Sequence, residues 1–421
     1  MCGILGKITI DGMHESPAAF DVALHQIEHR GPDDCGTFHI ISQGTIRISL
    51  GHTRLSILDV SFAGHQPMVS PRTGSVIVYN GEVYNFKAIR HQLEQKGLSF
   101  DSNCDTEVIL AAYDEYQEEF VHHLNGMFAI GILDLERGKI ILVRDRLGIK
   151  PLYYYWDGKQ LAFGSEIKAL VGLPTLKLEV DQDSIRQYLM YGYIPWPLSI
   201  FKNIRKLPPG SILHFDLHQP AVRVRRYWSV LEYYAQPADF RTKGEVLEAL
   251  REELTKSVRL RLISDVPLGA FLSGGIDSSL IVALMRTVNS GPVKTFTIGF
   301  TERQWDEAPL ARRIAQYLGT AHNEFYFSEE NTLDIVRTAA HFNDEPFADP
   351  ASIPTLALSR FTRQQVTVAL SGDGGDELFW GYQYYKLPIS LRILFDGVPF
   401  WMRQSLSTVL RVIPGKRCQG W

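Results

Sequence analysis

The chain contains 421 residues, of which 45% are hydrophobic and 21% are charged. This composition is ordinary for a globular protein and excludes a disordered or collagen-like chain, while the length predicts two or three domains. The net charge of −4 gives no general indication of binding to nucleic acid or to an anionic membrane. Four scattered cysteines, without a pair at zinc spacing, predict a reducing, cytoplasmic setting. We find neither a signal-peptide pattern nor an apolar run of the roughly 18–20 residues that cross a bilayer, so no membrane partner is expected.

The first part of the chain combines short strand-like segments with Gly, Asp and Asn turns. Apolar residues at helical spacing predict two helices, one beginning near Asn85 and one near Thr106. Strands interrupted by a few helices predict an α+β domain with antiparallel sheets over residues 2–190. The strands are predicted at residues 46–50, 76–79, 127–133, 140–143 and 152–155.

The second part of the chain has a different pattern. Proline-rich segments at 195–197 and 208–210 predict a connector over residues 191–240. Beyond the connector, helical patterns alternate with short, wholly apolar segments, which predicts a doubly wound α/β domain with a parallel sheet over residues 241–421. The buried strands of this domain are predicted at residues 268–272, 295–298 and 366–370. The last segment, 388–421, has an apolar and basic helical pattern that completes no strand–helix unit.

Cys2 becomes the amino-terminal residue if Met1 is removed. A terminal cysteine carries a nucleophilic thiol together with an α-amine, whose ordinary pKa of about 7.7–8.0 lets it act as the base. This is the chemistry of an amino-terminal-nucleophile hydrolase, in which the thiolate attacks an amide. A cysteine at position 2 is also compatible with a small buried side chain, so the assignment depends on the motifs that follow.

Eight short segments occur together with Cys2 in one order along the chain. They are MCGI at 1–4, HRGPD at 29–33, RLSI at 54–57, NGEVYN at 80–85, CDTE at 104–107, GMFA at 126–129, RDRLGIKPLYY at 144–154 and GSEIKAL at 164–170. Their content and order resemble the class II glutamine amidotransferase domain of glutamine-dependent asparagine synthetases. The resemblance implies an amino-terminal-nucleophile fold and glutamine as the amide that is cleaved.

The same resemblance implies that Cys2 is the nucleophile and that the Asn80 side-chain amide and the Gly81 N–H form the oxyanion hole. Other glutamine-binding residues implied by the family are Arg54, Leu55, Ile57, Glu82 and Asp105. Asn-Gly is also the commonest sequence of a tight type I′ hairpin turn, and this alternative stays open.

The charged members of this set fit the two ends of glutamine. Arg54 offers a bidentate fork for the α-carboxylate, and Glu82 and Asp105 offer acceptors for the α-ammonium. Taken singly, each of them could instead be a solvated surface charge.

Residues 268–280 have the pattern of a buried strand, a Ser/Gly turn and the beginning of a helix. Backbone N–H groups at the start of a helix favour phosphate, and the Walker lysine is absent. The segment Ser273–Ser278 resembles the pyrophosphate loop of ATP pyrophosphatases, although an ordinary helix cap is the alternative. A second strand, Gly-rich turn and helix at 368–379 predicts that two turns converge on one ligand.

The family resemblance implies nucleotide contacts on both turns and on the strand between them. The implied ATP-binding residues are Leu272, Ser273, Gly274, Gly275, Asp277, Ser278, Ile298, Ser371 and Gly372. Asp373 is the implied residue of adenylate formation, at a position where some relatives carry glutamate. Asp277 and Asp376 are the expected oxygen ligands of a Mg²⁺ that also binds phosphate, so ATP and Mg²⁺ are the predicted cofactors.

The resemblance covers residues 2–387 and implies a glutamine-hydrolysing asparagine synthetase, which forms asparagine, AMP and pyrophosphate. The expected partners are therefore glutamine, aspartate and ATP, and a homodimer is a further expectation. Two alternatives stay open: an amidotransferase for another carboxylate, and a truncated, glutaminase-only or inactive binding protein. The last alternative rests on a family segment and lysine that do not occur before Trp421, and it predicts glutamine hydrolysis with severely impaired asparagine formation.

Overall fold

The computed structural model describes residues 1–10, 16–42, 45–236, 241–289, 291–327, 329–382 and 385. The predicted helical pattern at 388–421 lies outside these residues. Within the described ranges, no helix has both the length and the apolar character that a membrane span requires.

Within the described residues, the strands of the amino-terminal region form two antiparallel sheets. The strands are β1 (Gly3–Thr9), β2 (Asp34–Ser42), β3 (Ile46–Arg54), β4 (Met68–Val69), β5 (Val76–Val83), β6 (Gly126–Asp134), β7 (Lys139–Arg144), β8 (Tyr153–Trp156), β9 (Gln160–Gly164), β10 (Ile204–Lys206), β11 (Ser211–Asp216) and β12 (Val222–Arg226). One sheet has the order β10-β8-β9-β1-β3-β2 and the other the order β12-β11-β7-β6-β5-β4. The predicted antiparallel α+β domain is confirmed.

The described residues of this region also form helices. They are α1 (Pro17–His25), α2 (Phe86–Gln95), α3 (Asp105–Tyr116), α4 (Phe120–His123), α5 (Ile167–Val171), α6 (Gln182–Tyr191) and α7 (Leu231–Tyr234). One core joins α1 and α5 to the first sheet, and another joins α2, α3 and α4 to the second sheet. A third core lies between the sheets, so the layers are helix, sheet, sheet and helix.

Strand β5 illustrates how the sequence produces this layering. Val76 and Val78 belong to the core between the sheets, whereas Ile77 and Tyr79 belong to the core under the helices. Successive side chains of a strand point to opposite faces, so a strand that is buried on both faces is apolar throughout. The alternation continues past Tyr79, and it places Asn80 on the same side as Val76 and Val78.

The predicted connector contributes strands to both sheets. β10 pairs with β8, and β11 lies between β7 and β12. The prolines of the segments 195–197 and 208–210 lie outside these strands, which agrees with the difficulty of placing proline inside a sheet. The amino-terminal sheets therefore extend to Arg226.

The carboxy-terminal region contains a parallel sheet with the strand order β15-β14-β13-β16. Its strands are β13 (Leu268–Phe271), β14 (Lys294–Phe300), β15 (Ala321–Phe327) and β16 (Val368–Leu370), and its helices are α8 (Lys243–Arg261), α9 (Ile276–Val288), α10 (Ala308–Leu318), α11 (Glu329–Phe342), α12 (Ser352–Arg363) and α13 (Gly375–Phe379). From β13 the chain proceeds outward to β14 and β15, then returns to place β16 on the other side of β13. This reversal is a topological switch point, and it confirms the predicted doubly wound domain.

The two regions meet through a short acidic loop after α11. Asp344 Oδ2 accepts a hydrogen bond from the Ile167 N–H at 2.5 Å, and Asp344 Oδ1 lies 3.1 Å from Lys168 Nζ. Glu345 forms an ion pair with Lys206 and accepts a hydrogen bond from the Ile200 N–H at 3.2 Å. Ile200 and Lys206 of the connector therefore lie along the interface.

Phe163 on β9 lies between the two amino-terminal sheets and is fully buried. A Cβ atom at Gly6 would lie 2.1 Å from its ring, and one at Gly131 would lie 2.9 Å from it. The substitution Phe163→Ala should therefore lower the free energy of unfolding of this region by about 3–5 kcal/mol, because it leaves a cavity between the sheets. Urea denaturation followed by tryptophan fluorescence measures the change. Phe62→Ala, at a side chain that is 78% exposed, is the control and should have little effect.

Candidate active sites

Cys2 lies immediately before β1, at the end of the first sheet. The pairing of Gly3 with Thr53 brings Cys2 to the carboxyl end of β3, where Arg54 and Leu55 follow. The Leu55 N–H donates to Cys2 Sγ at 3.4 Å, and Arg30 Nε donates to the Cys2 carbonyl at 2.9 Å. These two contacts fix both the thiol and the backbone of the predicted nucleophile.

A cavity of about 280 Å³ opens beside Cys2. All of the residues predicted to bind glutamine line it: Arg54, Leu55, Ile57, Asn80, Gly81, Glu82 and Asp105. The sequence thus predicted a set of side chains, distant along the chain, that the fold brings together.

Asn80 and Gly81 lie inside strand β5, where they pair with Ala129 and Phe128 of β6. The alternative of a type I′ hairpin turn at these residues is therefore wrong, because the partner strand comes more than 40 residues later. A Cβ atom at Gly81 would lie 2.2 Å from the Met127 carbonyl, so the close approach of β6 requires glycine there.

The Asn80 side chain points into the space between the sheets near Cys2. Its Nδ2 donates to Ser165 Oγ at 3.5 Å, and the same hydroxyl accepts a hydrogen bond from the Ile4 N–H at 3.0 Å. Its Oδ1 is buried without a hydrogen-bond partner in the described part of the chain. Such a long donor contact leaves the amide able to turn towards a ligand in the cavity.

The Arg54 guanidinium also binds the loop after β3, which the sequence did not indicate. It donates to the carbonyls of Ser61 at 2.8 Å, Leu58 at 3.3 Å and Asp59 at 2.5 Å. Three of its five N–H groups therefore hold the loop that forms one wall of the cavity. In this arrangement Arg54 shapes the pocket as well as lining it.

Glu82 and Asp105 are both buried beside each other in the cavity. Asp105 Oδ2 accepts hydrogen bonds from the Tyr79 hydroxyl at 2.7 Å and from the Val83 N–H at 2.9 Å. Burial, together with the smaller effect of the neighbouring Asp105 carboxylate, raises the pKa of Glu82 to about 7. Burial also raises the pKa of Asp105, so a cationic ligand group would be stabilised strongly by this pair.

The structure adds cavity residues that sequence reasoning missed. Lys150 lines the cavity and is 3% exposed. Thr367, Val368 and Ala369 close its outer side, although they belong to the carboxy-terminal domain. The motif that contains Lys150 was visible in the sequence, but nothing local indicated that strand β16 would reach the first site.

The turns after β13 and β16 meet at the carboxyl edge of the parallel sheet, around a cavity of about 1070 Å³. This is the switch point, where ligands of doubly wound sheets bind. Of the residues predicted for the nucleotide and for adenylate formation, those that line the cavity are Leu272, Ser273, Gly275, Asp277, Ser278, Ile298, Ser371, Gly372 and Asp373. Trp305 and Glu307 also line it and were not predicted.

The first turn is held by its own serines. Ser278 Oγ accepts a hydrogen bond from the Ser273 N–H at 3.1 Å, and the two hydroxyls lie 2.8 Å apart. Gly274 is in the turn but is not part of the cavity lining, and its N–H donates to Glu307 Oε2 at 3.2 Å. The alternative of an ordinary helix cap by Ser273 or Asp277 is wrong, because Gly275 is the N-cap residue of α9 and no side chain caps the helix there. The turn faces the cavity instead.

Asp277 and Asp376, the predicted Mg²⁺ ligands, both line this cavity. A Cβ atom at Gly375 would lie 2.4 Å from Asp277 Oδ2, so the second turn packs directly on the Asp277 carboxylate. Two carboxylates on converging turns suit a cation that prefers oxygen ligands and shares phosphate oxygens. Among the described residues, no three His, Cys, Asp or Glu side chains are grouped to hold a metal by themselves.

A third cavity of about 370 Å³ lies between the domains. Arg30 and Glu166 line it from the amino-terminal side, and Asp344 and Glu345 from the other. Arg30 Nη1 donates to Glu166 Oε1 at 2.6 Å, and Lys168 Nζ lies 2.7 Å from Glu166 Oε2. Burial alone would raise the pKa of Glu166, but the contacts with His29, Arg30 and Lys168 lower it to about 2.

Two family models match the chain. A glutamine amidotransferase domain matches residues 1–228, and an asparagine synthase domain matches residues 249–416. The boundary between them agrees with the end of the second antiparallel sheet at Arg226.

Among curated proteins, a Methanocaldococcus jannaschii protein assigned as glutamine-hydrolysing asparagine synthetase 2 is 38% identical over 95% of this chain. The glutamine-hydrolysing asparagine synthetase 1 of Bacillus subtilis is 35% identical over 98% of this chain, and the amidase chry2 of Gibberella zeae is 32% identical over 92%. This chain spans 81%, 64% and 60% of the lengths of these relatives, respectively. By its two matched domains and these relatives, the chain belongs to the glutamine-hydrolysing asparagine synthetase family.

Proposed function

We propose that the protein is an ATP-dependent carbon–nitrogen ligase that uses glutamine nitrogen to convert aspartate to asparagine, with release of AMP and pyrophosphate. One observation supports this most strongly. Val368 and Ala369 of strand β16, with the preceding Thr367, line the glutamine cavity, and the strand continues directly into Ser371 and Gly372 of the nucleotide cavity. Two cavities that share one short strand suit two half-reactions joined by a reactive product.

In the first half-reaction, removal of Met1 would free the α-amine of Cys2. The amine takes the thiol proton, and Sγ attacks the amide carbon of glutamine, with Asn80 and Gly81 stabilising the developing oxyanion. Collapse of this intermediate breaks the C–N bond, and the departing ammonia takes the proton held by the amine. Water then hydrolyses the thioester to glutamate.

Substrate recognition divides between the two ends of glutamine. Glu82 and Asp105 accept the α-ammonium, and Arg54 donates to the α-carboxylate with the N–H groups that do not hold the loop. Burial of these charges makes an unpaired state costly, which favours a ligand with both charges over a plain amide.

In the second half-reaction, aspartate attacks the α-phosphorus of ATP and pyrophosphate leaves. The turns Ser273–Ser278 and Ser371–Asp373 would hold the phosphates by backbone N–H groups, which suit anions at the start of a helix. Mg²⁺, held by Asp277 and Asp376, would neutralise phosphate charge when bound. Ammonia then displaces AMP from the acyl adenylate.

The cellular compartment and the oligomeric state are two further parts of the proposal. Cys2, Cys35 and Cys104 are free thiols, which supports a reducing, cytoplasmic setting. A homodimer stays a prediction, and sedimentation at micromolar concentration tests it.

Replacing Cys2 with alanine should abolish glutamate release and asparagine synthesis from glutamine, because no thiolate remains. Synthesis with added ammonium should continue, since the second site is unchanged. Glutamate and asparagine are measured by chromatography under both nitrogen sources. Cys35→Ala, at an exposed thiol, is the matched control. Glutamine hydrolysis by the Cys2→Ala protein would contradict the assignment of the nucleophile.

The pKa of Glu82, about 7, predicts a pH dependence for glutamine use. The carboxyl is protonated below that pH and can then no longer pair with the α-ammonium. We therefore expect kcat/KM for glutamine to fall by about tenfold per unit as the pH falls below 7. Glu82→Gln should lower kcat/KM and remove this limb, whereas Glu136→Gln, at a side chain that is 64% exposed, should keep it. If kcat/KM of Glu82→Gln still falls in the same way below pH 7, the titrating group is not Glu82.

A second candidate function is amidation of a different carboxylate. The related Gibberella zeae protein is named an amidase, so membership of this family does not by itself specify aspartate. Pyrophosphate release with ATP, Mg²⁺ and a panel of carboxylates tests the choice. We expect aspartate to stimulate release more than glutamate, β-alanine or succinate does. Stimulation by another carboxylate but not by aspartate would favour the second candidate.

A further inference from the structure

Lys150 is a buried cation in the glutamine cavity that the proposed function does not yet use. It is 3% exposed and lines the same cavity as Cys2, Asn80 and Glu82. Burying an ammonium group without a partner is costly, so its position in the lining of this cavity needs an explanation.

The backbone of Lys150 is held firmly in place. Its N–H donates to Asp145 Oδ2 at 2.9 Å, and its carbonyl accepts from Arg144 Nε at 2.9 Å. The Asp145 carboxylate also accepts from the N–H groups of Leu147 and Ile149. The side chain therefore leaves a rigid loop and extends towards the amino terminus.

The contact at the end of this side chain is with the residue that processing would remove. Lys150 Nζ lies 2.8 Å from Met1 Sδ, and a thioether is a weak acceptor that cannot balance a full charge. After loss of Met1, the ammonium would face the space next to the new α-amine of Cys2. In that position its positive charge would act directly on the amine.

The charges around the amino terminus, the Cys2 thiol and Lys150 determine the direction in which their pKa values shift. Burial lowers the pKa of the amino terminus, and the charges of Arg30 and Lys150 contribute in the same direction, so that it is about 5 for Met1. Burial raises the pKa of the Cys2 thiol, whereas the charge of Lys150 lowers it. The ionisable groups that face the amino terminus, the thiol or Lys150 are Arg30, Glu82, Asp105, Asp145 and Arg363.

We propose that Lys150 is a positioning residue of glutamine hydrolysis. Its ammonium keeps the Cys2 amine unprotonated, so that the amine can accept the thiol proton, and it stabilises the thiolate that attacks the amide. This inference rests on the proposed function and adds an electrostatic residue to its first half-reaction. An exposed lysine would not act in this way, because solvent would screen its charge.

The test compares Lys150→Met, Lys150→Arg and the exposed control Lys87→Met in the full chain, after mass spectrometry has established that Met1 is absent. Glutamate release is measured from pH 5.5 to 9 at saturating glutamine, where Glu82 is paired with substrate. In Lys150→Met, the acidic limb of kcat should move up by about one pH unit, because one nearby positive charge is lost. Lys150→Arg and Lys87→Met should keep the limb of the unsubstituted protein.

The ammonium of Lys150 itself titrates, and this gives the rate ratio a second dependence on pH. Burial lowers the pKa of Lys150 to about 8, so its charge is present below that pH and is lost above it. The rate ratio of unsubstituted protein to Lys150→Met should therefore be largest at low pH and fall towards one by pH 9. A structural defect would lower the rate by one factor at every pH.

A measurement without turnover separates this inference from the proposed function. The rate of Cys2 alkylation by iodoacetamide against pH, followed by mass spectrometry of the amino-terminal peptide, reports the thiol pKa. We expect a higher thiol pKa in Lys150→Met. An unshifted alkylation profile together with an unshifted kcat limb would overturn the role of Lys150. Absence of glutamine hydrolysis in the unsubstituted protein would instead overturn the proposed function.

Discussion

The arrangement of both sites depends on two partly buried carboxylates, Asp344 and Glu345, which join the carboxy-terminal domain to the amino-terminal one. Asp344 contacts the backbone of Ile167 and the ammonium of Lys168, and Glu345 contacts Lys206. Burial raises the pKa of both acids, so each carboxylate needs its partner in order to stay charged inside the interface. Charged pairs of this kind specify one docking geometry more strictly than an apolar contact would, because misaligned charges would be left unpaired.

That docking geometry makes the glutamine cavity a property of the whole chain. The amino-terminal domain supplies the nucleophile and the polar groups, but β16 of the other domain supplies the wall at Thr367–Ala369. The loop after β3 is held from both sides: Asp265 of the carboxy-terminal domain donates through its N–H to the Ile57 carbonyl at 3.0 Å and accepts from the Asp59 N–H at 2.8 Å. Strand β16 therefore borders the cavity beside Cys2 and leads into the turn that lines the second cavity.

Local patterns predicted the elements well, because strand and helix periods and glycine-rich turns are short-range properties. The amphipathic helix at Phe86–Gln95 and the two glycine-rich turns that line the second cavity are examples. What sequence could not predict depends on pairing across long separations. Asn80 and Gly81 have the sequence of a hairpin turn, yet β6 makes them part of a strand interior. Likewise, neither the contacts of Arg54 with three loop carbonyls nor the position of Lys150 beside Met1 has any signal in local sequence.

Under the proposed function, one docked chain carries nitrogen from the cavity beside Cys2 to the cavity at the parallel sheet without release to solvent. The most direct measurement supplies glutamine labelled with ¹⁵N at its amide, together with aspartate, ATP, Mg²⁺ and a large excess of unlabelled ammonium, and determines the ¹⁵N content of the asparagine formed. The account predicts that asparagine keeps most of the label, because strand β16 brings the two cavities next to each other. Asparagine whose label is diluted to the isotopic composition of the bulk ammonium would contradict it.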